Sequence, residues 1–424
     1  MNITSYSVNG FKNLRDCIIQ PGGLHAITGC NAVGKTNFMD SLSFLSALMT
    51  VSDTQRANMF MGLSRRFESW IPFEDDMLTN PEFKIEGDVV VESGVWEFVY
   101  QLKLSKPKII PKTYFALESK MDIISESLKA KLRGKPGPKR KIFSRNAKGK
   151  TTLVAELKRG ESNFEVPQGM MAMPAIKVRE AVKFEVKYPV MAKILEGISS
   201  ITAVSLSPKL MIEFNQHYPI PSSKKVELNH HNESSIAVVD LFDCILRIKT
   251  NQKSWDKFSF WLDRILRVDQ ISIKVTTVQK PEDEPDETRQ TLFFGQDSRL
   301  LFPRELSSGS IILIGLLSIL FDPNSEDKVI LLEEPEAYLH PKAISDFIVL
   351  LQHLAEKRTI VISTHNPVVL NAMDVGDVTL MTFDSTHFAK TTPVRKISSA
   401  TDALARGFIS FGDLLQTDFE LEDA

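Results

Sequence analysis

Apolar and polar residues alternate with period two from Ile3 to Val8 and again from Leu14 to Ile19. Leu24 to Thr28 is a short apolar run that ends on Gly29, so the chain opens with three predicted strands. Phe38, Leu42, Leu45 and Leu48 then recur at helical spacing and predict a helix over 37–49. Residues 83–118 are rich in β-formers around a turn at Ser93-Gly94. From about 119 to 300 the pattern is mixed, with helical spacing near 119–133, 176–198 and 236–268. Order returns afterwards: a helix from about 308, an apolar strand at 328–332, a helix near 341–357, a strand at 359–363 and a last strand near 377–383. The sequence has no internal repeat and no heptad run long enough for an extended coiled-coil arm.

Two segments interrupt this pattern. Lys129 to Lys150 holds ten Lys or Arg and no acid, broken by Gly-Lys-Pro-Gly-Pro at 134–138. Glu282 to Glu287 has five acids in six positions. Both read as exposed loops or insertions, the basic one either a disordered insertion or a polycationic strap.

Composition narrows the class. The 424 residues predict two or three units, and 43% hydrophobic with 25% charged residues is a globular mix. Lys and Arg (51) nearly balance Asp and Glu (53), leaving a formal charge of −2. A general polyanion binder is therefore excluded, and any basic surface must be local. Cys17, Cys30 and Cys244 are too widely spaced for a disulfide framework or a zinc site. The opening MNITSYSVNG lacks the build of a signal peptide, and the longest strongly apolar run, Ile311 to Phe321, is too short to span a bilayer. These features predict a cytoplasmic protein without a membrane partner.

Four motifs carry chemistry. Gly29-Cys-Asn-Ala-Val-Gly34-Lys35-Thr36 fits G-x-x-x-x-G-K-[ST] between a predicted strand and a predicted helix. Glycines let the backbone curl so that its N–H groups face a phosphate, Lys35 reaches the β- and γ-phosphates, and the Thr36 hydroxyl ligates Mg²⁺. Val329 to Leu332 is an aliphatic strand ending in Glu333-Glu334. Glu333 is expected to hold Mg²⁺, directly or through water, and Glu334 to polarise the attacking water. Leu306-Ser307-Ser308-Gly309-Ser310 precedes an apolar helix, whose amino end can bind phosphate through hydroxyl and N–H groups. Thr359 to Thr364 is a further apolar strand, followed by His365, whose neutral imidazole can hydrogen-bond a γ-phosphate or water.

The ordered set GCNAVGKT, LSSGS, VILLEEPEAYLHP and VISTHNP resembles the ABC-type ATPase heads of the SMC, Rad50, RecF and OLD group. EEPEAYLHP is similar to the OLD-like "AAA15" ATPases, many of which serve in bacterial phage defence. The resemblance covers roughly residues 1–50 and 300–385. It implies an α/β ABC-ATPase head, a P-loop sheet with an antiparallel β-lobe, carrying an inserted helical lobe. It maps Gly29, Asn31, Gly34, Lys35 and Thr36 to Walker A and Ser307 and Gly309 to the signature. Glu333 and Glu334 map to Walker B and the catalytic base, Glu336 to His340 to the D-loop, and His365 to the switch histidine. Asp is commoner than Glu at the Walker B metal position. The Q-loop glutamine stays open between Gln101 and Gln168.

The organisation this implies is 1–118 and 301–424 as the two parts of the head, with 119–300 as the inserted lobe. Prolines scattered through 37–305 forbid an uninterrupted coiled-coil arm there. Residues 366–424 are expected to be too few for a separate nuclease domain, and His230-His231-Asn232 reads as a polar loop. The cofactors implied are ATP and Mg²⁺, the assembly a homodimer or higher homo-oligomer with ATP sandwiched between heads. The partners implied are a separately encoded effector, such as a TOPRIM-like nuclease of PARIS or abortive-infection type, and a DNA or phage-protein trigger. A RecF-like repair ATPase shares every motif. A transporter nucleotide-binding subunit fits less well, because the stretch 37–305 is long and the LHP motif is present.

Overall fold

The computed structural model describes residues 1–50, 79–106, 108–113, 116–120, 122–154, 161–167, 170–180, 183–214, 218–219, 241–278, 287–296, 299–325, 328–397 and 410. It divides into two compact units: Met1–Ala203 with Lys328–Glu333 and Ala355–Ala424, and Val204–Asp327 with Glu334–Leu354. The strands in chain order are β1 (Asn2–Asn9), β2 (Cys17–Ile19), β3 (Leu24–Gly29), β4 (Glu82–Val91), β5 (Gly94–Leu104), β6 (Lys108–Thr113), β7 (Ala116–Lys120), β8 (Ile123–Leu132), β9 (Arg140–Arg145) and β10 (Lys150–Val154). They continue with β11 (Glu161–Glu165), β12 (Thr202–Val204), β13 (Tyr218–Pro219), β14 (Val268–Val278), β15 (Glu287–Gln296), β16 (Arg299–Leu301), β17 (Ile330–Glu333), β18 (Ile360–Ser363), β19 (Val378–Phe383) and β20 (Ala389–Pro393).

In the first unit, one sheet has the order β12-β17-β18-β3-β19-β20. β17, β18, β3 and β19 run parallel, and β20 closes the edge antiparallel to β19. Ile-Leu-Leu of β17, Ile-Val-Ile-Ser of β18 and Leu-His-Ala-Ile-Thr of β3 are buried throughout, as continuous apolar strands in a parallel sheet require. The second sheet, β11-β10-β9-β8-β5-β4-β1-β2, is antiparallel, and β4 alternates buried with half-buried positions. One face of that sheet is packed and the other is wet.

Lys35–Thr50 is a helix that buries Phe38, Leu42, Leu45 and Leu48. Its Phe44 meets Phe83 of β4 and Phe11 of the turn after β1, with centroids 5.4–5.8 Å apart. Burying each such ring contributes about 1.5–3 kcal/mol, so this cluster ties the helix after the glycine-rich loop to the antiparallel sheet. The sheets are also stitched at their edges: Ile18 N–H donates to Thr391 Oγ1 at 2.6 Å, and that hydroxyl donates to Ile18 O at 2.9 Å.

In the second unit the helix Ser308–Phe321 buries every residue from Ile311 to Phe321. Gly315 in its middle lets Met211 approach, since a Cβ there would lie 2.8 Å from Met211 Cε. Phe258, on the helix Gln252–Leu266, packs edge-on against Phe321. Arg247 and Asp322 form an ion pair at 2.7 Å.

Several expectations change. Helical spacing near 119–133 proves to be the end of β7, which pairs with β6, and β8, where Glu, Lys and Leu favour helix locally but pairing with β5 and β9 on either side overrides that weak preference. The antiparallel ladder accordingly runs on through Glu165, past the boundary expected at 118/119. Lys129 to Lys150 is not a loop. It spans the end of β8, a turn, β9 and the start of β10, with Arg145 buried. Periodicity over 236–268 resolves, from Leu241 on, into helices Leu241–Thr250 and Gln252–Leu266, where Asn251 Oδ1 caps the second by accepting from Ser254 N–H at 3.1 Å. β20 adds an edge strand that the local pattern does not mark. Among the described residues no helix exceeds the 16 residues of Lys35–Thr50, so none forms a long arm. None is long and apolar enough to cross a membrane. His230-His231-Asn232, Gln168 and residues 282–286 lie outside the described residues.

Candidate active site

β3 ends on Gly29 and the helix Lys35–Thr50 begins six residues later, so Cys30 to Gly34 form the connecting loop. Gly29 has φ +150°, and a Cβ on it would lie 2.4 Å from the Met381 carbonyl of the paired strand β19. Gly34 has φ +120°, and Ala32 between them takes φ 63°. Only glycine adopts the first two values without strain, so the motif's glycines are backbone requirements. Asn31 is exposed in the loop.

The loop curls around Lys35, only 8% exposed, whose ammonium donates to Gly29 O at 2.8 Å and Cys30 O at 3.0 Å. Phe38 N–H donates to Gly34 O at 2.9 Å, which starts the helix from the loop's last residue. In the first turn the Thr36 hydroxyl donates to a Glu333 carboxylate oxygen. Glu333 is the last residue of β17, level with Ser363 of β18, which is level with Ile27 of β3. The carboxyl ends of three adjacent parallel strands thus converge beside the loop, where α/β sheets bind ligands.

After β18, Thr364 N–H donates to Ile27 O at 3.0 Å. His365 follows, exposed, and Asn366 Oδ1 caps the next helix by accepting from Val368 N–H at 2.8 Å. The first unit therefore brings Gly29, Gly34, Lys35, Thr36 and Glu333 together on one sheet edge, from which His365 also emerges.

In the second unit Ser307 is the N-cap of the apolar helix, its Oγ accepting from Ser310 N–H at 3.1 Å. A Cβ on Gly309 would lie 2.5 Å from Tyr338 O, so the glycine permits backbone contact with the turn after Glu334. Glu334 has φ 41°, left-handed for a non-glycine, and its carbonyl accepts from Ala337 N–H at 3.0 Å. That conformation turns the chain out of the strand immediately after Glu333 and is a strained device of the kind concentrated at functional sites.

Thr36 and Glu333 supply one hydroxyl and one carboxylate oxygen, and no cluster of three or more His, Cys, Asp or Glu among the described residues is arranged to hold an ion. That donor set fits Mg²⁺ of the nucleotide-borne kind, which takes one or two protein oxygens and completes its shell with phosphate and water. It does not fit a dedicated all-protein metal centre. Gln101 is on β5, between Lys84 and Ser127 in the antiparallel sheet.

Asn13 holds the loop through its side-chain hydrogen bond to Val33 O, and Asn37 of the following helix donates to Asn13 Oδ1. No local pattern marks Asn13, which belongs to a turn 20 residues upstream of Val33.

Residues 207–371 match the family model described as "AAA domain, putative AbiEii toxin, Type IV TA system". That span includes Ser307, Gly309, Glu333, Glu334 and His365 and leaves the glycine-rich loop outside. The chain is 34% identical over 94 residues to protein ea59 of Escherichia phage lambda. That similarity covers 22% of this chain and 18% of the phage protein's length. Among solved structures, the SMC head domain from Thermotoga maritima aligns with TM-score 0.42 at 13% identity, covering 93% of this chain and 99% of that one. An SMC head bound to the C-terminal winged-helix domain of ScpA aligns with TM-score 0.49 at 12% identity, covering 92% and 98%.

Proposed function

We propose that this chain binds ATP with Mg²⁺ and hydrolyses it as a conformational switch. The observation that carries the reading is the Thr36 hydroxyl on the Glu333 carboxylate, beside the glycine-rich loop that folds around Lys35. In this reading Lys35 neutralises phosphate charge, while Thr36 and Glu333 orient the metal that accompanies the nucleotide. Mg²⁺ held by these two residues would supply further neutralisation of phosphate charge. Glu334 accepts a proton from the attacking water, and His365 orders that water or the γ-phosphate. Catalysis is then mainly positioning and electrostatics.

The signature residues Ser307 and Gly309 act on the nucleotide held by a second copy, so ATP joins a head-to-tail dimer and hydrolysis releases it. Support comes from Ser307 capping a long apolar helix whose N–H groups are directed at its amino end. Measuring ATP binding, turnover and oligomeric state in wild type, Lys35→Ala and Glu334→Gln tests this. Equal ATP affinity in wild type and Lys35→Ala rejects the nucleotide site, and identical species with and without ATP-Mg²⁺ reject the dimer.

At the level of the cell we propose a cytoplasmic regulator in an abortive-infection type of anti-phage defence, restraining or releasing a separately encoded effector. Support comes from the AbiEii description of the matched model and from EEPEAYLHP. The trigger proposed is DNA or a phage protein. A RecF-like repair ATPase is the second reading, favoured by the basic strands: Lys129 and Lys141 are direct cross-strand partners, both exposed. Co-expression with neighbouring reading frames separates the two readings, since defence predicts phage protection that requires both the effector and Lys35.

A further inference from the structure

The turn between β1 and β2 reaches the glycine-rich loop through one side chain. Asn13 Nδ2 donates to Val33 O at 3.0 Å, and Asn13 Oδ1 accepts from Asn37 Nδ2 at 2.7 Å. A single amide thus joins the residue before Gly34 to the residue two beyond Lys35. A Cβ on Gly34 would lie 2.8 Å from Asn13 Oδ1 and 3.1 Å from Nδ2. Gly34 is therefore required twice, by its φ and by the amide lying against it.

Asn13 is itself held firmly. Its carbonyl accepts from Ala389 N–H at 2.8 Å, and Arg15 N–H donates to Ala389 O at 2.9 Å. Phe11 is buried against Phe44 and Phe83, and Lys12 pairs at 2.7 Å with Asp40 of the helix that follows the loop. The amide is delivered from a turn fixed on both sides, so little side-chain entropy opposes the contact.

We infer that Asn13 is a positioning residue for nucleotide binding, bracing the phosphate loop by fixing the Val33–Gly34 peptide; this rests on the nucleotide reading above. In a planar trans peptide C=O and N–H point in opposite directions. Holding the Val33 carbonyl toward Asn13 therefore directs the Gly34 N–H away from it, into the loop. An unbraced peptide can flip, and with φ-permissive Gly34 the flip meets little steric resistance.

The test compares wild type, Asn13→Ala, Asn13→Asp, Asn37→Ala and Lys35→Ala by amide hydrogen exchange of nucleotide-free protein, by ATP binding and turnover, and by thermal unfolding. Asn13→Ala should speed exchange over 30–37 selectively, weaken ATP about tenfold and leave turnover at saturating ATP within about twofold. Asn13→Asp is isosteric but sets an oxygen against the Val33 carbonyl, so it should behave like Asn13→Ala. Asn37→Ala keeps the Val33 bond and should stay within about twofold of wild-type affinity. The brace is overturned if both Asn13 variants exchange like wild type over 30–37, or if exchange rises uniformly across β1 and β4 as mere destabilisation requires. Absence of ATP binding by the wild type rejects the nucleotide reading instead, and the exchange comparison still decides the brace.

Discussion

Thr36 and Glu333, 297 residues apart in the chain, share a hydrogen bond between hydroxyl and carboxylate at the carboxyl edge of the parallel sheet. Replacing Glu333 with Gln keeps an acceptor but removes the charge that orients a divalent cation. Turnover with Mg²⁺ should fall on the order of a hundredfold, while nucleotide binding measured in EDTA stays near wild type. An equal loss in EDTA shows that Glu333 only supports the loop.

Lys35→Ala should remove ATP binding, because the phosphates lose a charge-assisted donor held only 8% exposed. Glu334→Gln should keep binding and stop turnover, since an amide accepts no proton. Size-exclusion with ATP-Mg²⁺ should then show that variant accumulating as a dimer, and the added substitution Ser307→Arg should abolish the shift. A dimer that survives Ser307→Arg removes the signature from the interface.

His25 lies in the middle of β3, nearly fully buried, with Nε2 2.9 Å from Thr379 Oγ1. Burial, aided by the Arg395 charge, pushes its pKa down from 6.5 to about 4. The unfolded chain therefore binds a proton near pH 6.5 that the folded chain refuses until about pH 4. Stability present above 6.5 is lost as pH falls through that window, by about 3 kcal/mol in all. Melting temperatures from pH 7 to 4.5 should fall more steeply for wild type than for His25→Gln, and parallel curves contradict the assignment.

Glu126, fully buried in β8, accepts N–H groups from Ala172 (2.5 Å) and Met173 (3.3 Å) at the start of the helix Ala172–Glu180, and Tyr100 OH at 3.1 Å. Burial raises its pKa, outweighing those hydrogen bonds and the nearby Arg145. A raised folded value means stability is full below the ordinary carboxylate range and declines as pH rises through the folded value. The difference in unfolding free energy between wild type and Glu126→Gln should therefore shift against wild type with rising pH, as read by urea titration. A pH-independent difference rejects this.

Lys129 and Lys141 face each other across β8 and β9. Like charges at that separation repel, so Lys141→Gln should stabilise the fold by about 0.2–1 kcal/mol. If the face meets DNA, Lys129→Gln with Arg140→Gln and Lys141→Gln should also flatten the salt dependence of binding without altering basal ATPase. Wild-type DNA affinity at low salt in that variant assigns the strands a structural role alone. Lys131, Lys139 and Arg133 are poor choices, because they already meet Glu97, Glu86 and Asp88.

Local pattern alone determined the glycine-rich loop between strand and helix and the apolar strands β3, β17, β18 and β19, because each is written in a few consecutive residues whose backbone and burial needs are local. Their neighbours were not so written. That β18 lies between β17 and β3, that Thr36 meets Glu333, and that 123–132 is a strand between β5 and β9 are pairings between distant segments. Strand register and partner choice are set by which surfaces bury one another, and periodicity within one segment carries no record of the other. Asn13 is the clearest case. In sequence it is one polar turn residue among several, and only the fold, by pinning that turn to Ala389 and the helix, carries its amide onto Val33.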